Sequence, residues 1–346
     1  MRWAAVALVG LVCACAAATP HAGVPSTSPI AAVTPSPGAS AVSTVIPFRS
    51  PGFKCRLPIT LFSGAARSGA FIDFPSGSVT PDPASAEVNA IPQPGRELID
   101  KTHHGLYYDK AYARWLPVYR NAVAPDGAHY AYTDRDISPG ANAAASIALH
   151  VVDVKTGIGR TGYVGPWDLR FVVVDYASEG IYLRDSGSVG VDFVDPVKDE
   201  MQHAVDLGDY EGSAGNGYFW QGVTNPDDPN AISSNELDKV NRVDSSRVVW
   251  FYRPRSNVRF LAQDPQGHPI VVISPDFQPS EFLYLHSPGV SREILRPGNG
   301  GPAISDPIAD SHGVWFGAQD GIYLYTELGG LRQVSRQAGL PANGCL

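Results

Sequence analysis

The sequence predicts an all-β chain in which a four-stranded antiparallel unit is repeated around an axis, as a six-bladed β-propeller. Three observations predict it. Short runs rich in Val, Ile, Tyr, Phe and Trp alternate with Gly, Pro, Asp and Asn, with almost no helical periodicity. A glycine leading directly into an apolar strand recurs at Gly69, Gly127, Gly180, Gly217, Gly267 and Gly313, about every 49 residues, which is the length of one propeller blade. Downstream of each glycine lies a strand–turn–strand hairpin. Of the 346 residues, 44% are hydrophobic and 10% aromatic, enough for a large core, and only 17% are charged. This composition excludes a coiled coil, a highly charged disordered chain and a polytopic membrane protein. The net charge of −8 argues against a nucleic-acid surface.

From the N-terminus, Arg2 precedes an apolar run from Trp3 to Ala14, which reads as a secretory signal over residues 1–14. The run falls short of the roughly 20 apolar residues of a membrane-spanning helix. Its end, Leu11-Val12-Cys13-Ala14-Cys15, resembles the bacterial lipobox, with Val12 three places before the cysteine and Ala14 just before it. The resemblance implies that Cys15 is the lipidated first residue of the mature chain. Cys13 departs from that pattern, and cleavage elsewhere leaves a soluble secreted protein. Residues 15–48 carry no charge and are dominated by Ala, Ser, Thr, Pro and Val, the composition of a disordered linker. If extended, such a segment reaches about 100 Å.

Residues 49–346 form the predicted folded domain. Its only cysteines, Cys55 and Cys345, stand at its two ends. In an oxidising compartment they are expected to pair and join first blade to last. The expected hairpins are Gly105–Val118, Ile147–Val164, Val191–Val205, Leu237–Tyr252, Phe282–Leu295 and Ile322–Ser335, with further strands at Leu169–Asp175 and Val258–Gln263. The stretch Val79–Lys101 reads as an insertion in the first unit. A seventh blade is the alternative if that stretch, or Tyr210–Glu236, holds a degenerate repeat. A closed ring suits these units, because twisted sheets with two apolar faces must stack and a ring leaves few open edges.

Two stretches resemble known repeats. Ala124-Pro125-Asp126-Gly127 with the following HYAYTD resembles the repeat of TolB-like six-bladed propellers, and GVWFGAQDGIYLYT from Gly313 to Thr326 resembles that of two-component-regulator sensor propellers. The resemblance implies architecture over residues 50–346; propellers host many functions.

No Gly-x-Ser-x-Gly elbow, His-Glu-x-x-His motif or phosphate loop occurs in the sequence. His103-His104 reads as an exposed loop pair. Asp134-Arg135-Asp136 and Asp227-Asp228 read as acidic turns, with calcium binding as the alternative. Asp175, Asn216, Asp264 and Asp310 fall near the ends of candidate inner strands, where they either cap their own turns or share an axial metal. Trp167, Arg170, Tyr210 and Trp220 are candidates for a ligand-binding rim. Trp115, Trp220, Trp250 and Trp315, inside apolar runs, are also expected as core wedged between blades.

The reading these residues support is an exported, lipid-anchored binding or scaffold module of the bacterial cell envelope. It is expected to be a monomer without a cofactor that contacts the membrane through its lipid only. Its expected partner is a protein, peptide or cell-wall glycan. The alternatives are a propeller enzyme of the lactonase or lyase kind with a divalent metal on the axis, and a detached ligand-sensing module.

Overall fold

The computed structural model describes residues 48–346 except 64–65, 90–95, 99–104, 137–146, 166–170, 186–189, 206–208, 216, 232, 276–279 and 297–301. The signal, the linker and Cys15 lie outside the described residues, as do His103, His104, Asn216, Trp167 and Arg170.

The chain is all-β. It opens with β1 (Cys55–Ser63), β2 (Ala66–Phe74) and β3 (Ser78–Asp82), followed by a 3-10 helix (Pro83–Asn89) and β4 (Arg96–Leu98). A short hairpin of β5 (Tyr107–Asp109) and β6 (Arg114–Leu116) stands apart as its own two-stranded sheet. Then β7 (His129–Asp136), β8 (Ile147–Asp153) and β9 (Gly159–Gly165) join β4 in a four-stranded antiparallel sheet. Three four-stranded meanders follow. The first contains β10 (Phe171–Ala177), β11 (Gly180–Asp185), β12 (Val191–Asp195) and β13 (Glu200–Val205). The second contains β14 (Asp209–Gly215), β15 (Tyr218–Val223), β16 (Glu236–Asn241) and β17 (Arg247–Tyr252). The third contains β18 (Ser256–Gln263), β19 (Pro269–Pro275), β20 (Glu281–Ser287) and β21 (Val290–Leu295). Last come β22 (Ser305–Asp310), β23 (Gly313–Ala318), β24 (Gly321–Thr326), β25 (Gly330–Ser335) and β26 (Gly339–Pro341).

Five of the six expected hairpins are the third and fourth strands of a sheet, and Val258–Gln263 lies within β18. The first unit departs from the expectation. Its order is β26-β1-β2-β3, so the C-terminal β26 lies beside β1 and Gly69 sits in the third strand of the line instead of the second. A pairing of Ala318 with Gly339 then fuses this unit to β22–β25 in one eight-stranded sheet. Val79–Lys101 is not a simple insertion, since it holds most of β3, the 3-10 helix and β4. Tyr210–Glu236 contains β14 and β15 of an ordinary meander. Asp134-Arg135-Asp136 is the end of strand β7, not a turn.

The burial follows from strand position. β19, β20, β23 and β24 are buried on both faces, which is why they read as unbroken apolar runs, whereas the fourth strands β9 and β21 each begin with three exposed residues and are buried only further along. Two of the recurring glycines, Gly180 and Gly313, open second strands at a point of close approach. Gly313 has φ 136°, and a Cβ there would stand 2.2 Å from the Tyr325 carbonyl oxygen; at Gly180, φ 153°, it would meet the Phe193 ring at 2.5 Å. Only glycine fits both constraints.

Each sheet packs on the next through an apolar cluster. Leu149 and Val151 meet Phe171, Ile181 and Leu183; Tyr182 and Val191 meet Phe219 and Val240. Trp220 and Leu237 meet Val258 and Val271, and Ile270 and Tyr284 meet Phe316 and Tyr323. Trp315 and Leu324 then pack with Leu57 and Ile72, and Phe71 packs with Tyr108 and Trp115 of the β5–β6 hairpin. That hairpin's Tyr107 and Leu116 form a further cluster against Tyr130, Tyr132 and Val173, returning to the first of these sheets.

Cys55 and Cys345 form a disulfide, with Cα atoms 5.4 Å apart across 290 residues of sequence. The tail around it is held from several sides. Asn343 Nδ2 donates to the Tyr107 hydroxyl and the Tyr108 carbonyl, both at 2.8 Å, and the Leu346 amide donates to the Arg56 carbonyl at 3.0 Å.

Candidate binding rim

The turns between third and fourth strands share a construction. The last residue of the third strand turns its side chain back onto the turn's amides: Asp153 accepts from Thr156, Asp195 from Val197, Asn241 from Val243 and Thr326 from Gly329, at 2.7–2.9 Å. In the first three, the amide four residues on also donates to that residue's carbonyl, and the donor (Gly157, Asp199 or Ser245) has positive φ.

With the backbone satisfied internally, such turns are free to display side chains, and at or directly beside the turn between third and fourth strands five successive sheets carry an exposed aliphatic residue. Ile158, Val197, Val243, Val290 and Leu328 are between 52% and 102% exposed. The turns lie side by side. Arg160 Nη1 beside Ile158 is 2.7 Å from Asp199 Oδ1 beside Val197. The Gly289 amide donates to the Trp250 carbonyl at 2.8 Å. His286 Nδ1, below Val290, is 3.4 Å from Glu327 Oε1, next to Leu328. Arg242, next to Val243, pairs with Glu179 and stacks on Tyr182 at 4.6 Å, both from the neighbouring β10–β13 sheet. Five apolar tips thus line one end of the sheets.

Beneath Val290 and Leu328 the apolar interface becomes polar. Asp264 Oδ1 accepts from the Gln266 and His268 amides at 2.9 and 2.8 Å, while its Oδ2 accepts from the Tyr284 hydroxyl and lies 2.9 Å from His268 Nδ1. Tyr284 meets His286 edge-on at 4.5 Å. Burial opposes ionisation of Asp264, but the hydrogen bonds from Tyr284 and His268 outweigh it and hold its carboxyl below the usual range. Burial, and then the bond to Asp264, push the Tyr284 hydroxyl upward. Both imidazoles are partly exposed, so this end of the interface offers donors and an aromatic edge next to the apolar tips.

The residues singled out from the sequence are distributed differently. Trp220 is fully buried, its indole donating to Gln263 Oε1 at 3.0 Å, so it cannot serve a rim; with Trp115 and Trp315 it belongs to the core, and Trp250 is half-buried against it. Tyr210 lies on β14. Among the described residues, the acidic metal candidates do not converge. Asp175 is 3.7 Å from Arg242, Asp264 is engaged as above, and Asp310 accepts from the Cys345 and His312 amides at 2.7 Å. Asp310, His312 and Cys345 have the spacing of a metal site, but the Cys345 sulfur is in the disulfide and is no thiolate ligand. Asp134 receives two bonds from Arg96, at 2.6 and 2.8 Å, and Asp228 accepts from Asn235 at 2.8 Å. The rim aliphatics and His268–Tyr284–His286 were beyond the sequence reading. Their one local signal is a single apolar letter inside an otherwise polar turn.

No family model matches the chain, and no curated protein matches it. Solved structures with similar backbones include TolB from Acinetobacter baumannii, with a TM-score of 0.42 and 10% identity over 83% of this chain and 63% of that one. This chain therefore spans under two thirds of TolB. A chain of a nidogen–laminin complex gives a TM-score of 0.41 and 11% identity over 84% of this chain and 98% of that one. An oligogalacturonate lyase in complex with manganese gives 0.31 and 11%, over 78% and 71%. The architecture described above rests on strand pairing and burial, not on these likenesses.

Proposed function

We propose that the chain is a six-bladed β-propeller, exported to the bacterial cell envelope and anchored there through Cys15, that binds a protein partner with the rim of turns described above. The fusion of the two chain ends in one sheet and the unbroken circuit of apolar clusters support six blades. The observation that carries the function is the row Ile158, Val197, Val243, Val290 and Leu328. Isolated surface aliphatics are ordinary, but one at the same turn of five consecutive sheets forms a shared apolar front, the kind of surface that marks a docking site. The partly exposed histidines beside Tyr284 add the polar contacts that fix orientation. Asp175, Asp264 and Asp310 are each committed to neighbours within their own interfaces, so among the described residues nothing favours the axial-metal enzyme.

Photo-crosslinking in envelope preparations tests the binding reading. A crosslinker at Val243 or at Leu328 is expected to capture the same protein, and Val197→Asp is expected to abolish capture from both. Capture at an equal level from Phe62, an exposed residue at the end of β1 away from Cys55, or no capture at all, would overturn it. Palmitate labelling that vanishes in Cys15→Ala tests the anchor separately.

A further inference from the structure

The β16 strand carries two acids that the rim does not use. Along the face of β15 and β16 turned to the β10–β13 sheet, Phe219 and Val240 pack with Tyr182 and Val191. Strand alternation then places Gln221 and Asp238 on that same face, and Glu236 one pleat further on. Gln221 and Asp238 are direct cross-strand partners, which brings their side chains alongside each other. All three are more than nine-tenths buried: Gln221 is 4% exposed, Asp238 2% and Glu236 7%.

Their oxygens are poorly supplied with donors. Asn225 Nδ2 donates to Glu236 Oε2 at 2.6 Å. Asp238 Oδ1 and Gln221 Oε1 are buried with no hydrogen-bond partner. Elsewhere a buried acid meets a cation, as Asp134 meets Arg96 and Glu281 meets Arg253. Among the described residues neither Glu236 nor Asp238 is ion-paired. A carboxylate and an amide oxygen cannot satisfy each other, since both accept, and buried charge is normally paired or bound to a metal.

We propose that Asp238, Glu236 and Gln221 form a calcium site between the β10–β13 and β14–β17 sheets. Asp238 Oδ1 and Gln221 Oε1 are ligands, and the two carboxylates balance the dication. A hard cation is the ligand that two unsatisfied buried oxygens beside a second carboxylate select. Calcium accepts the irregular, water-completed geometry that two neighbouring strands provide more readily than magnesium does. The site is independent of the rim.

The test uses the folded domain stripped with chelator and then titrated with calcium chloride, read by equilibrium dialysis and by thermal unfolding. One calcium is expected to bind per chain. At a concentration a hundred times its Kd it should suppress the unfolded population about a hundredfold, with magnesium weaker. Asp238→Asn should abolish both effects, and Gln221→Ala should weaken binding with the charge intact. Terbium should bind the wild-type chain, emit on excitation of Trp220 and Trp250 in the same sheet, and be displaced by calcium. Absence of calcium uptake by the wild type at millimolar concentration would overturn the proposal whether or not the variants fold. So would a stabilisation that Asp238→Asn retains. Val243→Asp, which alters only the rim, should bind calcium normally.

Discussion

Asp238 shows how far a single environment moves a carboxyl group. Burial, reinforced by the neighbouring Glu236 carboxylate and only partly opposed by Arg247, pushes its pKa up to about 7. A carboxyl whose folded pKa is raised takes up a proton on folding. Its stabilising contribution is therefore complete below the ordinary pKa of about 4 and is lost as pH rises toward 7. In chelator, unfolding midpoints measured across that window should fall with rising pH, and Asp238→Asn should remove that part of the slope. Asp264, held low by Tyr284 and His268, has the opposite sign: its contribution is present above the ordinary carboxyl pKa and is lost as pH falls below it. The two acids were not equally legible. The Asp264-Pro265-Gln266-Gly267 turn is plain in the sequence, whereas nothing in Glu236-Leu237-Asp238-Lys239-Val240 marks its acids as buried. The β14–β17 sheet is covered on both faces, and local alternation does not report what covers the second face.

At the level of the element, the repeated turn accounts for both stability and display. Ser245 occupies the position that Gly157 fills in the equivalent turn, with φ 57°, a conformation that side chains adopt at a cost of about 1 kcal/mol or more. Ser245→Gly should therefore raise stability by up to about 1 kcal/mol, read as a shift in denaturant midpoint, with no change at the rim. Gly313→Ala should do the reverse. The added methyl would run into the Tyr325 carbonyl oxygen at a positive φ, and a loss of about 2–4 kcal/mol is expected from strain and displacement of β24. Five of the six hairpins were readable because their turns and flanking strands are local in sequence. The first unit was misphased for a reason no local pattern reveals: its strand beside β1 comes from Gly339–Pro341, and GLP carries no periodicity of its own. β4, at three residues, is likewise too short to announce itself.

At the scale of the molecule, the two chain ends act as one structural unit. Cys55 and Cys345 are bonded, β1 and β26 are paired, and Asn343 ties the tail to the β5–β6 hairpin. Closing a loop of 290 residues is worth about 5 kcal/mol by chain entropy. Cys55→Ser with Cys345→Ser, or reduction of the wild type, should lower the unfolding free energy by up to that amount while leaving the strand content of the far sheets intact. Equal stability with and without reductant, by denaturant titration followed by circular dichroism, would contradict it. This pairing was legible from the placement of two cysteines alone, whereas the fusion of β26 into a continuous eight-stranded sheet depends on a single backbone pairing, Ala318 with Gly339.

The position of β26 also sets a timetable. The free edge of β1 can find its partner only after some 280 further residues have been made, which at 5–20 residues per second takes roughly 15–60 s. Until then the first-made strands remain an open template while the middle sheets are already able to fold. The chain thus passes through a long unsealed interval during synthesis, in which premature pairing with another copy is the chief hazard.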